Sequence, residues 1–272
     1  MNFFCLEDRR GNRIFDEEIN QQNMIYLRRI KLLDPDLVQG EAKYPYCVPA
    51  VRHIESFAFD RPVSFLVGEN GMGKSTVLEA LMAQMPTDRN MMYDGEDYWT
   101  VKIAANDLDK QIELMFDARP QDIFCFRAES FFNYADKIDR IAMRESFDFG
   151  KSYILDRMGG HMLLQQSHGE SFMSLFLNYS NKNTLFLLDE PEAALSPQRQ
   201  LSLLVRIHEL AQAGCQFIIS SHSPILLAYP DAKIYQIEEE GPQVIAYEET
   251  EHYTLTKYFL NHTDRMLHEL GF

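Results

Sequence analysis

Pro62-Val-Ser-Phe-Leu-Val67-Gly68-Glu69-Asn70-Gly71-Met72-Gly73-Lys74-Ser75-Thr76 is the stretch that decides the fold. Its first six residues form a short, nearly continuous apolar run, the pattern of a strand buried on both faces. Beyond Gly73, the apolar residues Leu78, Leu81, Met82 and Met85 recur at i, i+3, i+4 and i+7, which predicts a helix, and Pro86 ends it. Gly68 to Ser75 therefore joins a strand to a helix and fits the pattern GxxxxGK[ST]. Glycines at those positions let backbone N–H groups of the loop, Glu69 and Asn70 included, turn inward around a phosphate chain. The helix N-terminus adds its dipole. Lys74 would reach the outer phosphates, the Ser75 hydroxyl would ligate Mg²⁺, and Thr76 follows in the same turn.

A phosphate loop holds a nucleotide without choosing the chemistry. The run Thr184-Leu-Phe-Leu-Leu-Asp189-Glu190-Pro191-Glu192 adds to it. Its apolar residues predict a central strand that delivers Asp189 to the carboxyl edge, where a carboxylate can hold the water shell of Mg²⁺. Glu190 comes next and can polarise an attacking water. A second buried strand, CQFIIS at 215–220, ends in Ser220-Ser-His222-Ser-Pro224, which places an imidazole at the same edge. There it can donate to a γ-phosphate oxygen. Ser167-His-Gly169-Glu170-Ser171 precedes a predicted helix. Ser-x-x-Glu is a capping box, yet a Ser-capped, glycine-containing helix start also binds anions, and the spacing leaves both readings open.

The rest of the chain alternates strands and helices. The helix after Ser196 has a side-chain cap, Pro197 at its first position and Gly214 at its end. Such alternation predicts an α/β layer with mainly parallel strands. MIYLRRIKLL, IESFAF and PVSFLV lie close together without helices between them and predict an antiparallel portion as well. KIYQI and QVIAY predict two shorter strands, and the chain ends in a helical segment. Residues 1–23 read as an extension. Residues 24–272 read as a single unit, with a catalytic lobe at about 24–130 and 170–272 and a helical lobe at about 131–169.

Composition bounds the function. The chain has 272 residues, 46% apolar and 25% charged, with 13 Gly and 11 Pro, values of a globular protein and not of a collagen or a linker. Forty-one acidic against 26 basic residues give a formal charge of −15. That balance opposes broad contact with nucleic acid or an anionic membrane. No apolar run approaches the roughly 18 residues of a membrane span, and the N-terminus lacks a basic region ahead of an apolar stretch. The expectation is a cytoplasmic protein that is not embedded in a membrane. Cys125 and Cys215, in apolar runs, read as buried reduced thiols. The acidic stretch from Asp231 to Glu251 reads as a solvated face, or as a dock for a basic partner.

In order along the chain, GENGMGKST, SHGES, LFLLDEPEAALS and ISSHSP resemble the Walker A, signature, Walker B with D-loop, and H-loop motifs of ABC-class ATPases. The likeness runs from about residue 24 to 250, and the chain resembles small stand-alone bacterial ATPases related to RecF, SMC and OLD-type heads. The resemblance implies an ABC-type P-loop NTPase fold with a small helical lobe, ATP and Mg²⁺ as cofactors, and ATP hydrolysis. Lys74 would serve phosphate, Ser75 and Asp189 the metal, Glu190 the water and His222 the γ-phosphate. Ser167 and Gly169, with Glu170 beside them, would contact ATP held by a second copy, giving a homodimer that sandwiches ATP. Such an ATPase would drive or gate a further protein encoded nearby, in DNA repair or antiphage defence. The alternative is the nucleotide-binding subunit of a membrane transporter.

Three places depart from the family pattern. His168 stands where a signature glycine is usual. Ala194-Leu195-Ser196 lacks the acidic residue of the D-loop. Glu129, after the strand IFCFR, takes the place of the Q-loop glutamine and reads equally as a candidate metal contact or as a solvated loop residue. Tyr44, Tyr46 and Phe57 are the aromatic candidates for stacking on adenine, although aromatics near strands are usually core residues, and that reading is the stronger one here.

Overall fold

A computed structural model of the chain describes residues 24–85, 107–149, 162, 168–178, 182–193 and 195–272. Among the described residues, eight strands fall into two sheets. The main sheet contains β2 (Val63–Gly68), β4 (Asp122–Arg127), β5 (Thr184–Asp189), β6 (Gln216–Ser220), β7 (Lys233–Glu238) and β8 (Gly241–Ile245), in the order β4-β5-β6-β2-β7-β8. The first four pairings in that order are parallel, and β8 closes the edge antiparallel to β7. The small sheet pairs β1 (Leu27–Leu32) with β3 (Ile112–Phe116), antiparallel.

The central strands are buried along their whole length, as a sheet covered on both faces requires. Strand alternation sends their side chains to two cores. On one face Phe65, Val67, Phe186, Leu188, Phe217 and Ile219 pack with Phe172 and Phe176 of α3 (His168–Asn178) and with Leu203 and Ile207 of α4 (Pro197–Gln212). On the other, Leu66, Leu185, Leu187 and Ile218 meet Val77, Leu78 and Leu81 of α1 (Lys74–Gln84) and the apolar side of β1. Fully buried Gln216 ties β1 to the main sheet, accepting from Tyr26 N and Leu27 N at 2.8 and 2.9 Å and donating to Leu27 O at 2.9 Å.

Helix α2 (Phe131–Phe149) opens the expected helical lobe, most of the remainder of which lies outside the described residues. Two helices, α5 (Glu251–Asn261) and α6 (Thr263–Glu269), end the chain.

Two early expectations are corrected. IESFAF is not a strand. Ile54–Ser56 forms a 3₁₀ turn and Ala58 makes a lone bridge to Arg29, because the turn lets Ile54, Phe57 and Phe59 all reach the same core. PVSFLV is not in the antiparallel portion, since it is buried on both faces and occupies an inner position of the parallel sheet. The partner of β1 is β3, some eighty residues on.

Candidate functional site

The carboxyl ends of β2, β5 and β6 lie side by side. Register aligns Arg127 with Asp189, Asp189 with Ser220, and Ser220 with Leu66, so strand order alone gathers three loops at one edge. Strand β6 stands between the strand that ends in Gly68 and the one that ends in Asp189.

The Gly68–Gly73 loop is shaped by contacts that leave no room for a side chain. Gly68 has φ +145°, and a Cβ there would lie 2.6 Å from the carbonyl oxygen of Ile237. Gly73 has φ +94°, and its Cβ would meet Val48 Cγ2 at 2.6 Å. These are left-handed conformations in tight surroundings, which glycine alone adopts without strain. Gly73 is also the residue from which α1 starts, with no side-chain cap. The first N–H groups of the helix are therefore available to a ligand.

Lys74 occupies the mouth of this loop. It is buried, and its Nζ donates to the carbonyls of Gly68 at 2.7 Å and Glu69 at 2.9 Å; among the described residues it has no ion-pair partner. Burial lowers its pKa, opposed by the charges of Glu190 and Asp189. A buried cation at a helix N-terminus, bonded to carbonyl oxygens and to no carboxylate among the described residues, is a site fitted to an anion.

Beside it, Ser75 Oγ lies 3.1 Å from Asp189 Oδ1. Asp189 is buried, and its pKa is raised by desolvation against the opposing Ser75 hydrogen bond and Arg127 charge. Among the described residues no three His, Cys, Asp or Glu side chains converge into a protein-only metal cage. One hydroxyl and one carboxylate suit Mg²⁺, which keeps waters and takes phosphate oxygens as further ligands.

Glu190 follows with φ +50°, a left-handed backbone rare for a residue with a side chain, and its N–H donates to Ser220 O at 3.0 Å. Its Oε1 is 3.7 Å from His222 Nε2. The β6 loop is pinned in turn by Glu192, whose Oε1 accepts from His222 N at 2.6 Å. Burial lowers the His222 pKa to about 4, with Lys74 and His252 adding to the effect. The imidazole is thus neutral in ordinary buffers and holds one N–H.

The remaining candidates are placed as follows. Asn70 and Glu69 line the exposed side of the loop, and Gly71 sits at its tip with nothing within 4 Å of a Cβ position. Thr76 is buried, with Tyr44 Oη 3.5 Å from its hydroxyl. Of the three aromatic candidates, Phe57 is fully buried and Tyr46 packs on the core, whereas Tyr44 is exposed at the loop. Glu129 is largely solvent-exposed and its Oε2 lies 3.3 Å from Arg127 Nη2, so the carboxylate is turned to that guanidinium. Helix α3 begins at His168 and includes Gly169 and Glu170 in its first turn; Ser167 is outside the described residues.

Arg127 is the residue that sequence reasoning passed over. Its Nη2 contacts Glu79 Oε1 at 2.7 Å and its Nε lies 3.5 Å from Asp189 Oδ2. It thereby neutralises a buried carboxylate of α1 and the edge carboxylate of β5. The available signal was a charge ending the apolar run IFCF, at the same edge as Asp189. Glu192 and His252 were also missed, the latter from a helix that no motif marks.

The family model described as "ABC transporter" matches residues 60–193. A second, "AAA domain, putative AbiEii toxin, Type IV TA system", matches residues 166–228. A Methanothermobacter marburgensis protein named "Putative ABC transporter ATP-binding protein" is 24% identical over 212 residues, covering 75% of this chain and 74% of its own. Among solved structures, the ADP conformation of MJ1267, an ATP-binding cassette of an ABC transporter, is 16% identical, with coverage of 79% of this chain and 91% of its own and a TM-score of 0.41. The cbiO1 protein of Clostridium perfringens, part of the ABC transporter complex cbiONQ, is 17% identical, with coverage of 92% and 100% and a TM-score of 0.43.

Proposed function

We propose that the chain, matched by family models over residues 60–193 and 166–228, is an ATPase of the ABC class that binds Mg²⁺-ATP in the Gly68–Ser75 loop, hydrolyses it, and forms a head-to-tail homodimer around two ATPs that works a partner protein. The observation that carries this reading is the buried Lys74 ammonium, held on loop carbonyls beside the Ser75–Asp189 pair and within one loop of Glu190 and His222.

In this reading Lys74 and the uncapped N–H groups at the start of α1 bind the β- and γ-phosphates. Tyr44, exposed beside Thr76, stacks on the base. Ser75 and Asp189 hold Mg²⁺, which when bound offsets the phosphate charge and polarises the γ-phosphoryl group. Glu190 accepts a proton from the attacking water, its left-handed backbone aiming the carboxylate across the edge of the sheet. His222 donates from Nε2 to the γ-phosphate. Ser167, Gly169 and Glu170 serve the nucleotide bound by the other copy. Binding then closes the dimer and hydrolysis opens it, and this cycle is what a partner senses.

The class of partner divides two readings. A soluble effector complex, in DNA repair or defence, fits an ATPase whose Glu129 stands on Arg127 at the Q-loop position. A transporter subunit is favoured by the name of the Methanothermobacter relative. No helix among the described residues is long and apolar enough to cross a membrane.

The decisive experiment is Glu190→Gln in the full chain. This variant should bind Mg²⁺-ATP, lose turnover by about 100-fold or more, and elute as a dimer in size-exclusion chromatography with ATP. A variant that stays monomeric at saturating Mg²⁺-ATP overturns the sandwich. Co-purification of the wild type with a polytopic membrane protein would decide for transport.

A further inference from the structure

We propose that His252 is a positioning residue for hydrolysis: from the first turn of α5 it fixes the tautomer and orientation of His222, so that His222 presents Nε2–H to the reacting phosphate. This rests on the proposed role of His222 as a γ-phosphate donor and adds the group that makes that role available.

The two rings meet at 2.9 Å between His222 Nδ1 and His252 Nε2, with centroids 5.0 Å apart and planes inclined by 52°. Two neutral imidazoles share one hydrogen in such a contact, so only two arrangements exist. If His222 donates from Nδ1, its Nε2 is a bare lone pair facing Glu190 Oε1 at 3.7 Å, a repulsive contact that also leaves no proton for a phosphate. If His252 donates from Nε2, His222 must carry its hydrogen on Nε2, where the carboxylate attracts it. The second arrangement is the one the charges select. His222 Nε2 and His252 Nδ1 are buried and have no other hydrogen-bond partner among the described residues, so the shared hydrogen settles both tautomers. Burial lowers the pKa of both rings, which keeps the pair neutral.

The helix that supplies His252 is anchored where it must be. Thr250 is fully buried and caps α5, its Oγ1 accepting from Tyr253 N at 3.3 Å and donating to Tyr247 O at 2.7 Å. Tyr247 Oη donates to Pro224 O at 2.8 Å, on the same loop as His222. The 247–253 segment thus holds that loop at two points, a backbone carbonyl and the imidazole. Apart from half-buried Tyr253 and Phe259, the other residues of α5 are exposed, and the contact with the His222 loop is made from its first turn.

The test compares His252→Phe, which keeps a ring and loses the donor, with His252→Gln, whose amide N–H stands near the position of the histidine Nε2. His252→Phe should lower kcat about 10- to 100-fold with KM for ATP within about twofold, and His252→Gln should recover most of the rate. In a His222→Ala background, His252→Phe should add nothing. Equal rates for His252→Phe and wild type, equal losses in both His252 variants, or additive losses in the double variant would each overturn the proposal. Nitrogen NMR of the histidine rings reads the tautomer independently of turnover. Nε2–H at His222 in the wild type, giving way to a mixture in His252→Phe, supports the proposal; Nδ1–H in the wild type, or no change in the variant, sinks it. A wild-type rate unaffected by His222→Ala would instead remove the catalytic reading while leaving the tautomer measurement to judge the contact.

Discussion

Ser75 and Asp189 lie 114 residues apart in the chain and meet at 3.1 Å, hydroxyl to carboxylate, across the edge of the sheet. Neither residue is placed by its own loop alone. Ser75 is carried there because α1 leaves from the end of β2, and Asp189 because β5 sits two strands away with β6 between them. If this pair receives Mg²⁺, Ser75→Ala should raise the Mg²⁺ needed for half-maximal turnover by at least about tenfold. Excess metal should restore much of the rate. A Mg²⁺ titration of ATPase activity checks it, and an unchanged titration would remove Ser75 from the metal site.

Lys74 separates binding from stability. Its ammonium is taken out of water without a carboxylate among the described residues to pair with it, so it costs folding free energy while preparing a phosphate site. Lys74→Met, which keeps the length and apolar character of the stem, should melt at the same temperature as wild type or higher without nucleotide. Yet it should lose the upward shift that ATP gives to the wild type. Differential scanning fluorimetry with and without Mg²⁺-ATP reads both quantities in one experiment.

The part of this site legible in the sequence is the part written in local patterns. Gly68 to Ser75, Asp189 with Glu190, and His222 each stand at the end of an apolar run. The run predicts a buried strand, and a buried strand in a parallel sheet puts its last residue at the ligand edge. The parallel core and the helix after Ser196 follow from the same periodicity. What stayed hidden depends on register between distant segments. Arg127 acquires meaning only when β4 pairs with β5 and sets it opposite Asp189. His252 lies thirty residues beyond His222 on a helix whose docking no spacing predicts, and Glu192 acquires its part only when its carboxylate meets the His222 backbone. IESFAF misled because alternating aromatics signal a strand, whereas tertiary packing placed Phe57 and Phe59 around Tyr235 after a 3₁₀ turn.

The His222 imidazole should titrate far below an exposed histidine. Its pKa falls from the ordinary 6.5 to about 4, first through burial and then through Lys74 and His252. Between those values the unfolded chain binds a proton that the folded chain refuses, so this group's contribution is complete above pH 6.5 and is lost as pH drops toward 4. Proton NMR of the ring should show a midpoint near 4. Urea denaturation across that window should have a smaller pH slope in His222→Gln than in wild type. A midpoint at the ordinary value would mean that the ring is solvated and that its contacts with Glu190 and His252 do not persist in solution.

Gly68 and Gly73 offer a graded test of the loop itself. An alanine at Gly73 meets the tip of Val48, a side chain that can shift, but must still hold φ +94°. This should cost about 1–3 kcal/mol, a fall in Tm of several degrees for a chain of this size. An alanine at Gly68 meets the backbone oxygen of Ile237 at 2.6 Å, and that oxygen belongs to β7, the parallel neighbour of β2. Relief there requires the two strands to part, which weakens the sheet on which the loop stands. Gly68→Ala should therefore be the more destabilising of the two in denaturant titration, and it should weaken ATP binding even where the protein is still folded. The reverse order would mean that β7 yields more readily than Val48, and that the loop is held chiefly by the turn at Pro49–Arg52.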